Sequence, residues 1–478
     1  MDSLNVPAPT FDLDTWANNY DGALLPLRLA HIARHCPPLR QHSITLALAQ
    51  AKKGKDIQLY ERLCHLAGVL GLTEAADEDV EWVARTEEAN KRELIRLEGE
   101  LRGYKNNLIR ESIRMGQEDL AMHHIDTGGP RSDPQDPIAP AGYAVAFTAF
   151  SKMRDYCHTP SQISSMTLRL AFTALLQAAL AEQLDSASAG HFNTVHTQAV
   201  RLRSSGCKEE EQAQLTAISH VAVGIAALGA GDYSQAAASF MRTPFEYHRL
   251  GPVHGLDFER LVASANDVAI YGGLCALGTM SRDELQEVVL GGQFRQFLEQ
   301  EPHMRKAIGL YVTAKYEQCI ALLQNYRADW TLDLFLSAHV DILFARIRQR
   351  SITAYFSSFS QVSIAALAAS FPPTRQDASV SPEVAMEDEL LSMIQNGQLD
   401  ARLDVVDGML FAPYKDHRAQ THEKARKTAA MVERTLLLRL HRVNMTLADL
   451  EIRREPKGRD GMGPPMDRGG SRLGSAYA

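Results

Sequence analysis

The sequence predicts a mainly α protein with one small β element near its C-terminal end. Apolar residues recur at steps of three and four over most of the chain, as in Leu94, Leu97, Leu101, Tyr104 and Leu108. A second pattern sets a tyrosine, a small residue and an apolar residue at helical positions i, i+3 and i+7. It occurs as Tyr143/Ala146/Phe150, Tyr233/Ala236/Phe240 and Tyr316/Cys319/Leu323. One stretch breaks the helical texture: NGQLDARLDVVDGMLFA, at 396–412, alternates apolar and polar residues up to an Asp-Gly pair suited to a two-residue turn.

A chain of 478 residues is too long for one simple core, so two or three structural units are expected. With 45% hydrophobic and 23% charged residues the composition is that of ordinary globular material. A net charge of −8 argues against wholesale nucleic-acid binding while leaving room for a local basic patch. Cys36, Cys64, Cys157, Cys207, Cys275 and Cys319 form no CxxC pair and read as reduced thiols in a cytoplasmic or nuclear setting. The opening MDSLNVPAPTFDLD has neither the basic nor the apolar region of a secretory signal. Residues 212–231 and 351–374 lack Asp, Glu, Lys and Arg. Their glutamines, serines and glycines read as buried soluble helices, so no membrane partner is expected.

In chain order, residues 1–79 read as an N-terminal helical region broken at Pro37-Pro38. Residues 80–125 read as one long amphipathic helix packed within the chain, with a dimeric coiled coil as the alternative. DTGGPRSDPQDPIAP, within a linker at 126–142, has four prolines and two glycines. Residues 143–330 hold the tyrosine pattern, and GDYSQAAASF resembles the second helix of a tetratricopeptide repeat. The copies stand well over one such repeat apart, so stacked helix pairs of TPR-like character are predicted.

From 331 to 412 the order is helix over TLDLFLSAHVDILFARIRQR, strand over SITAYFSSF, helix over QVSIAALAASF, loop, helix over 383–395, then the hairpin. Asn396-Gly397 stops the last helix. That order is a winged helix. An isolated hairpin is marginal in water, so this one is expected to join a small sheet covered by helices. Residues 413–455 read as a C-terminal bundle helix whose stripe is Val432, Leu436, Leu440, Val443, Leu447 and Leu450. The tail at 456–478, with six glycines and three prolines, reads as disordered. The fold class is therefore mainly α: TPR-like helical repeats, then a winged-helix domain with a small β-sheet and a C-terminal helix.

A two-residue turn at Asp407-Gly408 would pair Val406 with Met409, Val405 with Leu410 and Asp404 with Phe411. Leu399, Ala401, Leu403, Val405 and Leu410 then face the core. Val406, Met409 and Phe411 stand opposite with Arg402 and Asp404, an unusually apolar face to leave to water. Either the C-terminal helix or a partner chain is expected to cover it. The candidate interface is thus Val406, Met409 and Phe411 together with the stripe from Val432 to Leu450.

Winged helices often read DNA, and charge argues against it here. The would-be reading helix carries Glu383, Glu387, Asp388 and Glu389 and no basic residue. Residues 361–406 hold two basic and seven acidic side chains, a balance of −5, which duplex DNA would repel. No DNA partner is expected.

Catalytic motifs are missing from the sequence. His422-Glu423 lacks the second histidine of HExxH, and neither GxSxG nor GxxxxGK[ST] occurs. His123-His124 point apart on a helix, and His191 and His196 do not share a helical face. Gly272-Gly273 and Gly291-Gly292 read as helix-end or turn glycines. No catalytic, cofactor or metal residues are assigned, and no cofactor is expected.

Five stretches carry a family resemblance: HIARHCPPLR (31–40), KMRDYCHTPSQI (152–163), SANDVAIYGGLCALGTMSRDEL (264–285), LDLFLSAHVDILFARIRQRSITAYFSSFS (332–360) and GQLDARLDVVDGML (397–410). They resemble the PCI family of proteasome-lid, signalosome and initiation-factor subunits, and within it the first-subunit family of the COP9 signalosome. The corresponding lid subunits are the nearest alternative. Ser358 stands where the family leads one to expect proline, and the loop at 372–382 is longer than usual. The resemblance implies a non-catalytic scaffold that supports removal of Nedd8 from cullins, with the zinc site on another subunit. It implies assembly with other signalosome subunits through winged-helix sheet edges and a C-terminal helix bundle. Cullin-RING ligases are a candidate further partner, and the expected location is cytoplasm and nucleus. A winged-helix nucleic-acid regulator is the alternative from another class, and an isopeptidase acting by itself is a third.

Overall fold

The structure is a computed structural model that describes residues 6–72, 77–129, 141–183, 188–204, 206–371, 381–413, 417–448 and 450. Two compact units divide the chain, Met1–Ala412 and Pro413–Ala478.

The first unit opens with α1 (Leu13–Ala17), α2 (Leu24–His35), α3 (Arg40–Lys53) and α4 (Ile57–Val69). Pro37 and Pro38 break the path as expected, sitting in a single 3-10 turn, Pro37–Leu39, between α2 and α3. The predicted long helix is instead two, α5 (Val80–Asn106) and α6 (Arg110–Asp126). Leu108 stands between them with φ +55°, and they fold back on each other. Gly116 permits the approach: a Cβ there would lie 3.2 Å from the Tyr104 ring and 3.3 Å from Leu101. The apolar stripe is therefore covered by the next helix, although Leu108 itself is exposed.

The repeats follow as α7 (Ala141–Met153), α8 (Pro160–Gln183), α9 (Ala189–Leu202), α10 (Glu209–Gly229), α11 (Tyr233–Met241), α12 (Phe258–Leu261), α13 (Ala265–Thr279), α14 (Arg282–Glu284), α15 (Arg295–Gln300), α16 (Pro302–Val312) and α17 (Tyr316–Thr331). Every residue of the three tyrosine patterns is buried. Glycines set the helix spacing around the second copy. A Cβ on Gly224 of α10 would lie 2.6 Å from the Phe240 ring. Gly272 and Gly273, expected as helix-end or turn glycines, lie in the middle of α13. A Cβ at Gly272 would sit 2.6 Å from Phe294, and one at Gly273 would sit 2.6 Å from Met304. Among the described residues one helix, α8, is long and apolar enough to cross a membrane, and most of it is buried within the fold.

A charged cluster ties the N-terminal helices to the repeats. Arg28, 1% exposed, holds Asp333 at 3.0 Å and the Val262 carbonyl at 2.6 Å. Its guanidinium lies 4.4 Å from the Tyr20 ring centroid. The Tyr20 hydroxyl donates to both Asp267 oxygens, at 2.8 and 2.7 Å, and Tyr271 donates to Asp333 at 2.7 Å. Burial pushes the Asp267 carboxyl up to about 6, against the pull of Arg28.

The winged helix comprises α18 (Val340–Phe356), β1 (Gln361–Ser363), α19 (Ile364–Ser370), α20 (Pro382–Gln395), β2 (Arg402–Asp404) and β3 (Met409–Phe411). The helix expected from 331 starts only at Val340, because Asp333 holds the preceding turn by accepting from the N–H groups of Phe335 and Leu336. SITAYF is not a strand. Its β-branched residues continue α18, where Ile347, Ser351, Ile352 and Phe356 are buried as one face; tertiary burial overrides local preference. The strand lies a few residues later, and β3 occupies the centre of an antiparallel sheet ordered β1-β3-β2.

The hairpin register is displaced by two residues from the expected one: Arg402 pairs with Phe411, Leu403 with Leu410 and Asp404 with Met409. The connection is therefore the four residues Val405 to Gly408. Asp404 explains it, since its carboxylate accepts from the N–H of Val406 at 3.1 Å and of Asp407 at 3.3 Å. Gly408 supplies φ +60°. A two-residue displacement preserves the faces within the strands, so Leu403 and Leu410 still point inward, beside Val362 of β1, but Val405, expected on the same face, falls in the turn and is 61% exposed.

Candidate assembly surfaces

The predicted outer face of the hairpin is smaller than expected. Phe411 is half-buried between Gln361 and Arg402, and Met409 is half-buried between Ser363 and Asp404. Val406 leaves the face altogether. It sits in the turn, 95% exposed. What remains is a three-strand sheet with short edges at β1 and β2 and two apolar side chains among four polar ones.

Helix α20 is tied to α18 through a partly buried ion pair. Its Glu389 pairs with Arg348 Nε at 2.9 Å, and Arg348 also donates to the Phe371 carbonyl at 2.9 Å. The middle arginine of RIRQR is thus a buried tie between α18 and the rest of the winged helix.

The second unit contains α21 (His417–Leu447). The predicted stripe is present on it: Val432, Leu436, Leu440, Val443 and Leu447 share one face, with exposures from 49% to 79%. Leu450 lies beyond the helix, in a closing turn where its N–H donates to the Met445 carbonyl at 3.0 Å. A second face was not anticipated. Met431, Leu438 and Met445 are also exposed, and about 100° per residue places them on the side opposite the stripe. The run Leu436-Leu437-Leu438 was the available signal, because three successive residues cannot share one helical face. The tail at 456–478 and most of the linker at 126–142 lie outside the described residues.

All six cysteines are free, and Cys36, Cys64, Cys275 and Cys319 are buried. Burial pushes Cys275 and Cys319 up to about 12, which leaves them poor nucleophiles. His123 and His124 are buried with both imidazoles pushed down by desolvation. Among the described residues no group of three or more His, Cys, Asp or Glu side chains is placed to hold a metal.

Helical repeats running into a winged helix, followed by a long C-terminal helix, are the arrangement of a PCI-domain protein. The family described as "PCI domain" matches residues 323–413, and "26S proteasome subunit RPN7" matches residues 79–288. The chain belongs to the family of COP9 signalosome complex subunit 1 proteins. It is 39% identical to that subunit of Emericella nidulans over 95% of this chain and 85% of the relative. It is 35% identical to that of Neurospora crassa over 90% of each, and 28% identical to that of Arabidopsis thaliana over 92% of this chain and 91% of the relative.

Proposed function

We propose that this chain is a non-catalytic scaffold subunit of a COP9 signalosome, supporting the removal of Nedd8 from cullins of cullin-RING ubiquitin ligases. The carrying observation is α21, a helix of 31 residues with apolar side chains exposed on opposite faces. One apolar face could dock on a flat surface; two need neighbours on both sides, as in a helix bundle. The sheet edges of the winged helix offer a second joining surface. Native affinity purification of the full chain with mass spectrometry tests the reading. Co-purification of other signalosome subunits is expected; proteasome-lid subunits instead would support the alternative favoured by the match at 79–288. The purified chain is expected not to cleave Nedd8-conjugated cullin, with or without added zinc. Chelator-sensitive cleavage would overturn the scaffold role. The proposed location is cytoplasm and nucleus, to be checked by fractionation.

A further inference from the structure

We infer that a basic groove at the junction of the repeats and the winged helix binds a short extended peptide that alternates acidic and apolar residues. The groove, of about 880 Å³, runs along α18 between the start of α14 and the turn joining α16 to α17. Arg282, Arg346 and Arg350 converge on it, and its described lining residues include no aspartate or glutamate.

The two outer arginines of RIRQR stand one turn apart on the same face of α18, while Arg348 between them turns away to Glu389. Among the described residues no carboxylate comes within ion-pair distance of Arg282, Arg346 or Arg350. Arg350 donates to the Met280 carbonyl at 2.5 Å, while its buried Nε has no hydrogen-bond partner. Arg346 lies 4.7 Å from the Tyr233 ring centroid. Glu284 is near enough to feel Arg350, but its carboxylate is held by the Ser281 N–H at 2.7 Å. Three cations thus converge with no carboxylate in ion-pair contact among the described residues, Glu284 acting on Arg350 only from farther off, in a chain of net charge −8, an arrangement that an arriving anion relieves.

The remaining lining selects among anions. Tyr355 and Phe359 pack at a tilt of 41°, with centroids 5.0 Å apart, on the groove wall, and Phe359 is exposed. An apolar side chain can rest there while carboxylates reach the arginines. A nucleic acid would carry its charge on past the groove toward the acidic winged helix, with only three cations to neutralise it. The volume lies in the range of about 300–1,000 Å³ usual for ligand pockets.

The test uses the full chain and a short fluorescein-labelled peptide of glutamates interrupted by leucines, read by fluorescence anisotropy. Salt-sensitive binding is expected. Arg282→Ala with Arg346→Ala should weaken it roughly tenfold or more, with the thermal midpoint unchanged because both residues are exposed. Lys152→Ala with Arg154→Ala removes equal charge elsewhere and should leave binding intact. Equal binding by the groove variant would overturn the inference. So would equal binding of a glutamine-for-glutamate peptide, or tighter binding of a single-stranded oligonucleotide that the groove variant abolishes.

Discussion

At the scale of single residues, two glycines and a histidine make the physics testable. Gly272 has no room for a methyl group, with Phe294 at 2.6 Å and the Phe240 Cβ at 3.0 Å from where it would stand. Gly272→Ala should destabilise the chain by about 1–3 kcal/mol. Gly309 lies in α16 with nothing within 4 Å, so Gly309→Ala should stabilise by about 1 kcal/mol through helix propensity. Thermal or denaturant unfolding compares both with the parent, and destabilisation by both would show that propensity does not govern Gly309. His31 is buried on α2 with Nε2 at 3.3 Å from the Thr331 carbonyl, and burial pushes its imidazole down to about 4. The unfolded chain, titrating near 6.5, binds the proton more readily, so this contribution is present above about 6.5 and is lost as pH falls toward 4. Its full size is on the order of 3 kcal/mol. Asp267, raised to about 6, works in the opposite sense: its contribution is present below its unfolded value and is lost as pH rises through about 6. The discriminating measurement is therefore the difference between His31→Gln and parent. The variant's midpoint should fall less than the parent's between about pH 7 and about pH 5, and parallel curves would refute the assignment.

At the scale of elements, the hairpin and α21 separate core from surface. Leu410 sits at the centre of the inward row and is fully buried. Leu410→Ala should cost about 2–5 kcal/mol. Val406, in the turn, should accept aspartate within about 0.5 kcal/mol. A large loss from Val406→Asp would restore the two-residue turn and its register. On α21, Leu436→Gln and Leu438→Gln change opposite faces. Both residues are exposed, so neither should move the midpoint of the isolated chain, and each should reduce co-purification of partner subunits. If Leu438→Gln assembled normally, the helix would be engaged on one face only.

At the scale of the whole molecule, the boundary between the compact units after Ala412 offers a clean cut. Removing Pro413–Ala478 should leave the unfolding transition of the first unit in place and abolish incorporation into the complex, read by calorimetry and pull-down. Loss of both would show that the first unit needs the second to fold. The sequence by itself determined the helical class, the burial of all three tyrosine patterns, the order of the winged helix, the inward face of the hairpin strands apart from Val405, and the apolar stripe of α21. Each is written in periodicity, which depends on nothing beyond the near neighbours along the chain. Tertiary structure decided the rest. It split α5 from α6, because Gly116 lets one helix lie on the other. It kept SITAYF helical, because a neighbouring core buries that face; the hairpin turn, by contrast, was set locally by the Asp404 carboxylate, two and three residues before the N–H groups it holds. It also divided RIRQR, sending Arg348 to Glu389 and leaving Arg346 and Arg350 on a groove they share with Arg282, more than 60 residues earlier. Apart from that turn, these outcomes depend on which side chains meet across long stretches of chain, and no local pattern carries that information.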